Sequence, residues 1–325
     1  MLSRRHALLS IAALLATPRF GQAQNRKQAR LGFISTSTTN LSSPFIIALK
    51  EGLKDLGYVE GSNLTIDYKF AKSRDELPAM ADDLVKQRVD VILAGGSEGT
   101  VAAQKATKTI PIVMTNSGDA VREGFAASLA RPGGNITGLT QISPELAGKR
   151  LEIAKEMLRG LSRIGVLWHP LHPNTPITFK ETSVAAQKLG LQVVSIEVKD
   201  SKEFQAAFAL MRKERVGAIA VIRDPFMVRN RTLLAESAIN LRMPTIHESI
   251  DFVQAGGLMY YGPDFAELFR RSAFYVDKLV KGAKAAELPV EQPTKFQLGL
   301  NLKTASAIGR KIPSSVQTRA DKIIE

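Results

Sequence analysis

The chain has 325 residues, 44% of them apolar, and a formal charge of +13, which is enough length for two domains with separate cores. It has no cysteine, which excludes a structural disulfide, a thiolate metal site, a cysteine nucleophile and a lipid-anchored cysteine. Its Lys and Arg residues are scattered, with no dense basic run and no basic strand interleaved with aromatics, so the charge reads as a basic surface and no nucleic-acid partner is expected.

The first segment reads as a secretory leader. Arg4 and Arg5 give a charged start, residues 8–16 a short apolar run, and Gly21-Gln22-Ala23 a small-residue cleavage site, with cutting after Ala23. Ser3-Arg4-Arg5-His6-Ala7-Leu8 also resembles a twin-arginine signal. The export route is thus either the general or the twin-arginine one. Removing Arg4, Arg5 and Arg19 takes the charge from +13 to +10. Past residue 23 no apolar run reaches the roughly 20 residues of a membrane span. A soluble periplasmic protein, free of a lipid anchor, is expected.

The spacing then predicts a buried strand at 30–34 and a helix at 44–56, with Phe45, Leu49, Leu53 and Leu56 on one face and Gly57 as its stop. Residues 64–70 alternate apolar and polar, the period of a half-buried strand. A helix at 75–87, a strand at 89–93, a helix at 97–108, a strand at 110–114 and a short helix at 123–130 follow. The run Gly133-Gly134-Asn135-Ile136-Thr137-Gly138 interrupts this alternation. A similar alternation restarts after it: helix 144–158, strand 163–168, a helix to about 189, strand 191–198, helix 203–214, strand 218–222, helix 229–241 and strand 244–246. Gly256 to Gly262 reads as a second crossing, 265–281 as a long helix, 288–293 as a Pro-rich third crossing, and 296–302 as a last strand with a helix after it. Strands alternating with helices imply parallel, doubly wound sheets. The expected layout is an α/β chain of two lobes joined by hinge crossings: a leader at 1–23, one lobe from 24–138 plus 263–293, and the other from 139–262 plus 294–325.

Ligands of open α/β sheets bind beyond the carboxyl ends of the strands. That rule selects the loops carrying Ser35 and Thr36, Gly96 and Ser97, Asn116, Ser117 and Asp119 in the first half. In the second half it selects the loops 169–175, Arg223-Asp224 and 247–249, and from them His169, Asn174, Asp224 and Glu248 as ligand contacts. Gly96-Ser97 opens a helix, where free amides and a hydroxyl suit a carboxylate. Asp224 or Glu248 would hold an amine from the opposite lobe, although Asp119 and Asp224 also suit turns or caps. Tyr260 and Tyr261 are neighbours on a strand, so one faces the cleft and the other the core; Tyr261 is taken as the cleft residue. Trp168 suits either core packing or stacking on a ligand. His169 and His172 have metal-pair spacing but no nearby carboxylate in sequence, so neither a metal nor a cofactor is expected.

A catalytic alternative stands beside this. Gly95-Gly96-Ser97-Glu98-Gly99 fits a nucleophile elbow, and Asp224 and His247 follow in hydrolase order. No His-Gly-Gly motif precedes it, and the leader and the two-lobe layout would then need separate explanations. Two further readings remain: a secreted serine hydrolase using Ser97, and a sensor domain that passes its ligand state to a membrane receptor.

Four ordered blocks carry a resemblance. They are Leu56-Gly57-Tyr58-Val59-Glu60-Gly61, Ala130 to Gly138, Gly256 to Gly262, and Leu288 to Phe296. Together they are similar to the ABC-transporter substrate-binding proteins that include tryptophan-binding lipoproteins. The likeness runs from Arg30 to Glu325. It implies the type I periplasmic binding fold and a non-enzymatic role: capture of a small solute, an amino acid or aromatic or hydrophobic carboxylate, for a membrane permease and its ATPase. A monomer is expected. The chain departs from lipoprotein members by lacking a leader cysteine, and it has His169 and His172 where the family often shows Asn-Pro-x-Asn-Pro.

Overall fold

The computed structural model describes residues 28–36, 41–141, 143–172 and 174–325; the leader lies outside them. Strands β1 (Ala29–Ser35), β2 (Leu64–Phe70), β3 (Val91–Gly95), β4 (Ile112–Ser117) and β5 (Ile136–Thr140) form one sheet in the order β2-β1-β3-β4-β5, all neighbours parallel. Helices α1 (Pro44–Asp55), α2 (Leu77–Lys86) and α3 (Gly96–Ala106) make its crossovers. The start of α1 is set locally: Ser43 caps it by accepting from the Phe45 amide, and Pro44 occupies the first turn. Ile46, Leu49 and Leu53 form its buried face.

After β5 the chain enters a second sheet. Its strands are β6 (Arg163–Trp168), β7 (Gln192–Glu197), β8 (Ala218–Val221), β9 (Thr245–His247), β10 (Met259–Pro263), β11 (Phe296–Asn301) and β12 (Lys322–Ile324), in the order β12-β11-β10-β9-β8-β6-β7. The β10–β11 pair is antiparallel and the other pairs are parallel. Its helices are α4 (Ser143–Met157), α5 (Thr175–Lys188), α6 (Phe204–Lys213), α7 (Pro225–Arg229), α8 (Arg231–Asn240) and α9 (Ile250–Gln254). Then α10 (Phe265–Val280) leaves this sheet and packs on the first, and α11 (Leu302–Ala307) and α12 (Ser314–Gln317) return to the second.

Each sheet is covered on both faces. On the first, Phe33, Leu49, Phe265, Phe269 and Tyr275 pack on one side, and Ile34, Leu84, Ile92 and Met114 on the other. The α1–α10 contact is close because Gly52 has no side chain; a Cβ there would lie 2.5 Å from the Arg270 carbonyl oxygen. The second sheet is built the same way, with Leu151, Leu258 and Leu300 on one face and Phe208, Met211 and Phe252 on the other.

Two expectations change and one open alternative is resolved. Residues 123–130 form turns, not a helix: Gly124 at φ +72° ends the turn, and the Phe125 and Ala126 amides both bond to the Ala120 carbonyl. The glycine-rich run does not itself leave the first lobe, because Ile136 to Thr140 is that sheet's edge strand. Trp168 stacks on Phe179 at 4.8 Å and donates to Ser195 Oγ, so it belongs to the core.

Segment 288–293 runs beside β5. Glu291 exchanges backbone hydrogen bonds with Gly138 and Thr140, and its carboxylate accepts two bonds from Arg271 at 2.8 and 2.9 Å. Gly138 sits at φ +119°, and a Cβ there would collide with the backbone of Met114. Gly138→Ala should therefore lower unfolding free energy by about 2–4 kcal/mol. The check is the urea midpoint, which should fall while the slope stays constant.

Candidate functional site

The carboxyl ends of both sheets border one cavity of about 500 Å³. Ser35 and Thr36 at the end of β1, Gly96 and Ser97 at the start of α3, and Asn116 in β4 line it from the first lobe. Their polar atoms are already matched to one another. Gly96 N donates to Asn116 Oδ1 at 3.0 Å, as does the Thr115 hydroxyl at 2.9 Å. Gly118 N donates to Ser97 Oγ at 3.1 Å, and Thr36 Oγ1 to Glu98 Oε2 at 2.7 Å. What remains to attract an anion is the amino end of α3, whose first-turn amides have no intrahelical acceptor.

Asn174, Asp224 and Glu248 line the cavity from the second lobe. Asp224 is 2% exposed and both its oxygens are engaged. One lies 2.7 Å from His169 Nδ1, and the other caps α7 by accepting from Met227 N. Glu248 pairs with Arg150 at 3.1 Å, with both side chains 6% exposed. Burial pushes the Arg150 pKa down and Glu248 pulls it back up. The two carboxylates expected to receive an amine are thus tied to partners inside their own lobe.

Four of the expected residues lie off this wall. Ser117 is fully buried, its hydroxyl 2.8 Å from that of Thr100. Asp119 accepts from the Val121 and Arg122 amides as a turn residue and borders a separate groove. His169 stands behind Asp224, stacked on Phe226 at 4.7 Å. Tyr261 packs against Phe296, and Tyr260 is the cavity residue, its hydroxyl donating to Gln297.

The expectations left Asp251, Phe45 and Phe265 out of the site and gave Arg223, in a selected loop, no ligand contact. Arg223 follows β8; its Nε donates to Ser249 Oγ at 3.2 Å and its guanidinium lies 4.8 Å from the ring centre of Phe265, so both partners are neutral. Asp251, two residues past Ser249, has a buried oxygen without a hydrogen-bond partner. Phe45 and Phe265 each sit in the first turn of a capped helix. Applying the carboxyl-end rule to helix starts as well as to loops would have found both rings.

The hydrolase constellation is not assembled. His247 is fully buried and stacks on Phe252 at 4.7 Å, its ring nitrogens lack hydrogen-bond partners, and burial pushes its pKa down to about 3. Asp224 faces His169, and no hydrogen bond joins Ser97, Asp224 and His247 among the described residues. Among those residues, too, no group of three or more His, Asp or Glu side chains is placed to hold a metal ion, and no helix is long and apolar enough to cross a membrane.

The lobes meet across the cavity. Arg229 Nη1 reaches the Thr36 carbonyl and Arg74 Nη1 the Leu171 carbonyl. Two α/β lobes around one cavity define a bilobal protein that binds small molecules. The family described as ABC transporter substrate binding protein matches residues 45–324, and the chain belongs to it.

A tyrosine-binding protein of Clostridioides difficile is 26% identical over 295 residues, covering 88% of this chain and 83% of that one. A conserved domain protein of Vibrio cholerae superposes with TM-score 0.86 at 27% identity, covering 91% of this chain and all of that one. A Streptococcus ABC domain in complex with L-Trp gives 0.85 at 24% identity, with the same coverage. The ligand-free, open structure of a substrate-binding protein from C. difficile gives 0.69 at 21% identity, covering 91% and 99%. The fold is that of the type I periplasmic binding proteins.

Removing one partner of the buried Arg150–Glu248 pair strands a charge. Glu248→Ala should cost about 3–5 kcal/mol of stability, and Glu248→Gln less, in urea unfolding followed by circular dichroism.

Proposed function

We propose that the protein captures a small zwitterionic solute with an apolar or aromatic body in the periplasm and delivers it to a membrane permease with an ATPase. The observation that carries this reading is Arg223, a cavity-wall guanidinium whose two partners are neutral. It holds the ligand carboxylate. Asp251, whose buried oxygen lacks a partner, lies near the same end of the cavity through Ser249 and holds the ammonium. The rings of Phe45, Phe265, Phe269 and Tyr260 on the wall receive the apolar body.

The relatives that bind tyrosine and tryptophan support this ligand class. Residues 1–23 direct export. Because the ligand touches both lobes only when they are closed, it shifts the open–closed equilibrium by its differential affinity, and the permease reads the closed form.

The test is a thermal-shift screen of residues 24–325 against amino acids, aromatic acids and small carboxylates. A ligand at a hundred times its Kd stabilises by about 2.7 kcal/mol, and Arg223→Ala should weaken binding by about 2–5 kcal/mol. A screen in which no carboxylate shifts the transition, or in which Arg223→Ala leaves the shift unchanged, would sink the reading.

A further inference from the structure

Beside the ligand cavity the lobes meet at a largely buried carboxyl. Glu123 lies in the turn after β4, in the first lobe, and Asn174 opens α5 in the second. Asn174 Nδ2 donates to Glu123 Oε1 at 2.7 Å. Gly118 makes room for the contact, because a Cβ there would collide with both the Asn174 amide and the Glu123 carboxyl. Asn174 also lines the cavity, as does Ser97, whose hydroxyl helps to hold the Glu123 pKa down.

We propose that Glu123 is a proton-operated latch between the lobes: closure covers its carboxyl with Asn174 and takes up one proton from solvent, so acid favours the closed form. With the lobes parted, Asn174 leaves with α5 and water reaches the carboxyl, which then titrates near its ordinary value of 4.5. With the lobes together, burial pushes it up to about 7; Asp119 adds to the rise, and hydrogen bonds from Ser97 and Asn174 oppose it. The closed form therefore binds more protons between pH 4.5 and 7. The stabilisation of closure is fully present below that window and is lost as pH rises through it.

The other ionisable groups at this seam are accounted for. On the same turn, Asp119 pairs with Arg122, which also reaches Glu181 on α5. On α3, Glu98 accepts from Thr36. Before α5, His172 accepts from the Asn174 amide, and burial lowers its pKa. None of these groups makes a charge-compensating pair with Glu123.

The latch is a property of the lobes and is tested without ligand, so a failed ligand screen and a failed latch give separate signals. The chain lacks cysteine, so Asp82→Cys on α2 and Gln205→Cys on α6, both exposed, accept a dye pair specifically. Single-molecule energy transfer then reports lobe separation. The closed-to-open ratio should rise on the order of 30-fold from pH 8.5 to pH 5.5. Glu123→Gln should flatten that dependence, which assigns it to the Glu123 carboxyl. Gly118→Ala should lower the closed fraction at every pH. A ratio that does not change with pH in the parent, or a pH dependence that survives Glu123→Gln, overturns the proposal. So does a Gly118→Ala protein that closes as the parent does.

Discussion

Each lobe is built on a sheet in which almost every strand pair is parallel, so nearly every strand delivers its carboxyl end to the same edge. That direction decides where chemistry can be placed. Ser35, Gly96, Asn116, Arg223 and Glu248 come from distant parts of the chain, yet they reach one cavity because each follows or ends a strand. The chain strengthens the arrangement by crossing between lobes more than once. Helix α10 leaves the second sheet to complete the core of the first, and segment 288–293 returns alongside β5. The Arg271–Glu291 pair and the Gly138–Met114 approach both lie at this join.

The first-lobe wall is organised before any ligand arrives. Asn116 Oδ1 accepts from both Gly96 N and Thr115 Oγ1, and Ser97 Oγ accepts from Gly118 N. A ligand bound against this wall would meet oriented dipoles and need not organise loose hydroxyls, which would lower the conformational cost of binding. The second-lobe wall follows the same rule with charges. Asp224 and Glu248 are satisfied by His169 and Arg150, and the charges left to a ligand are those without an internal counter-ion. Uncompensated charge, more than charge alone, distinguishes Arg223 from Asp224, its neighbour in sequence.

The alternation of strands and helices was legible in the sequence because burial on both faces leaves long periodic apolar runs. The post-strand loops were legible for the same reason. What was not legible was which polar residues in those loops satisfy each other. Asp224 precedes Pro225, a pattern that reads as a helix cap, but its pairing with His169 depends on the β6–β8 register. Tyr260 and Tyr261 could be told apart only by knowing which face of β10 borders the cavity, and both faces of that strand are largely buried. The turn at 120–126 was misread because its residues fit a helix, whereas Gly124 takes a left-handed conformation that ends it after one turn.

The latch and the ligand site share residues, and that has a thermodynamic consequence. Ser97 and Asn174 contribute to both the cavity wall and the seam around Glu123. If proton and ligand each favour the closed form, each must raise the affinity for the other by the same factor. Ligand affinity would then fall as pH rises toward the covered carboxyl's titration point and level off above it. The coupling needs no contact between the ligand and Glu123. It requires only that Asn174 be unable to reach Glu123 while the lobes are apart; with the lobes together, Gly118 leaves the room that the contact needs.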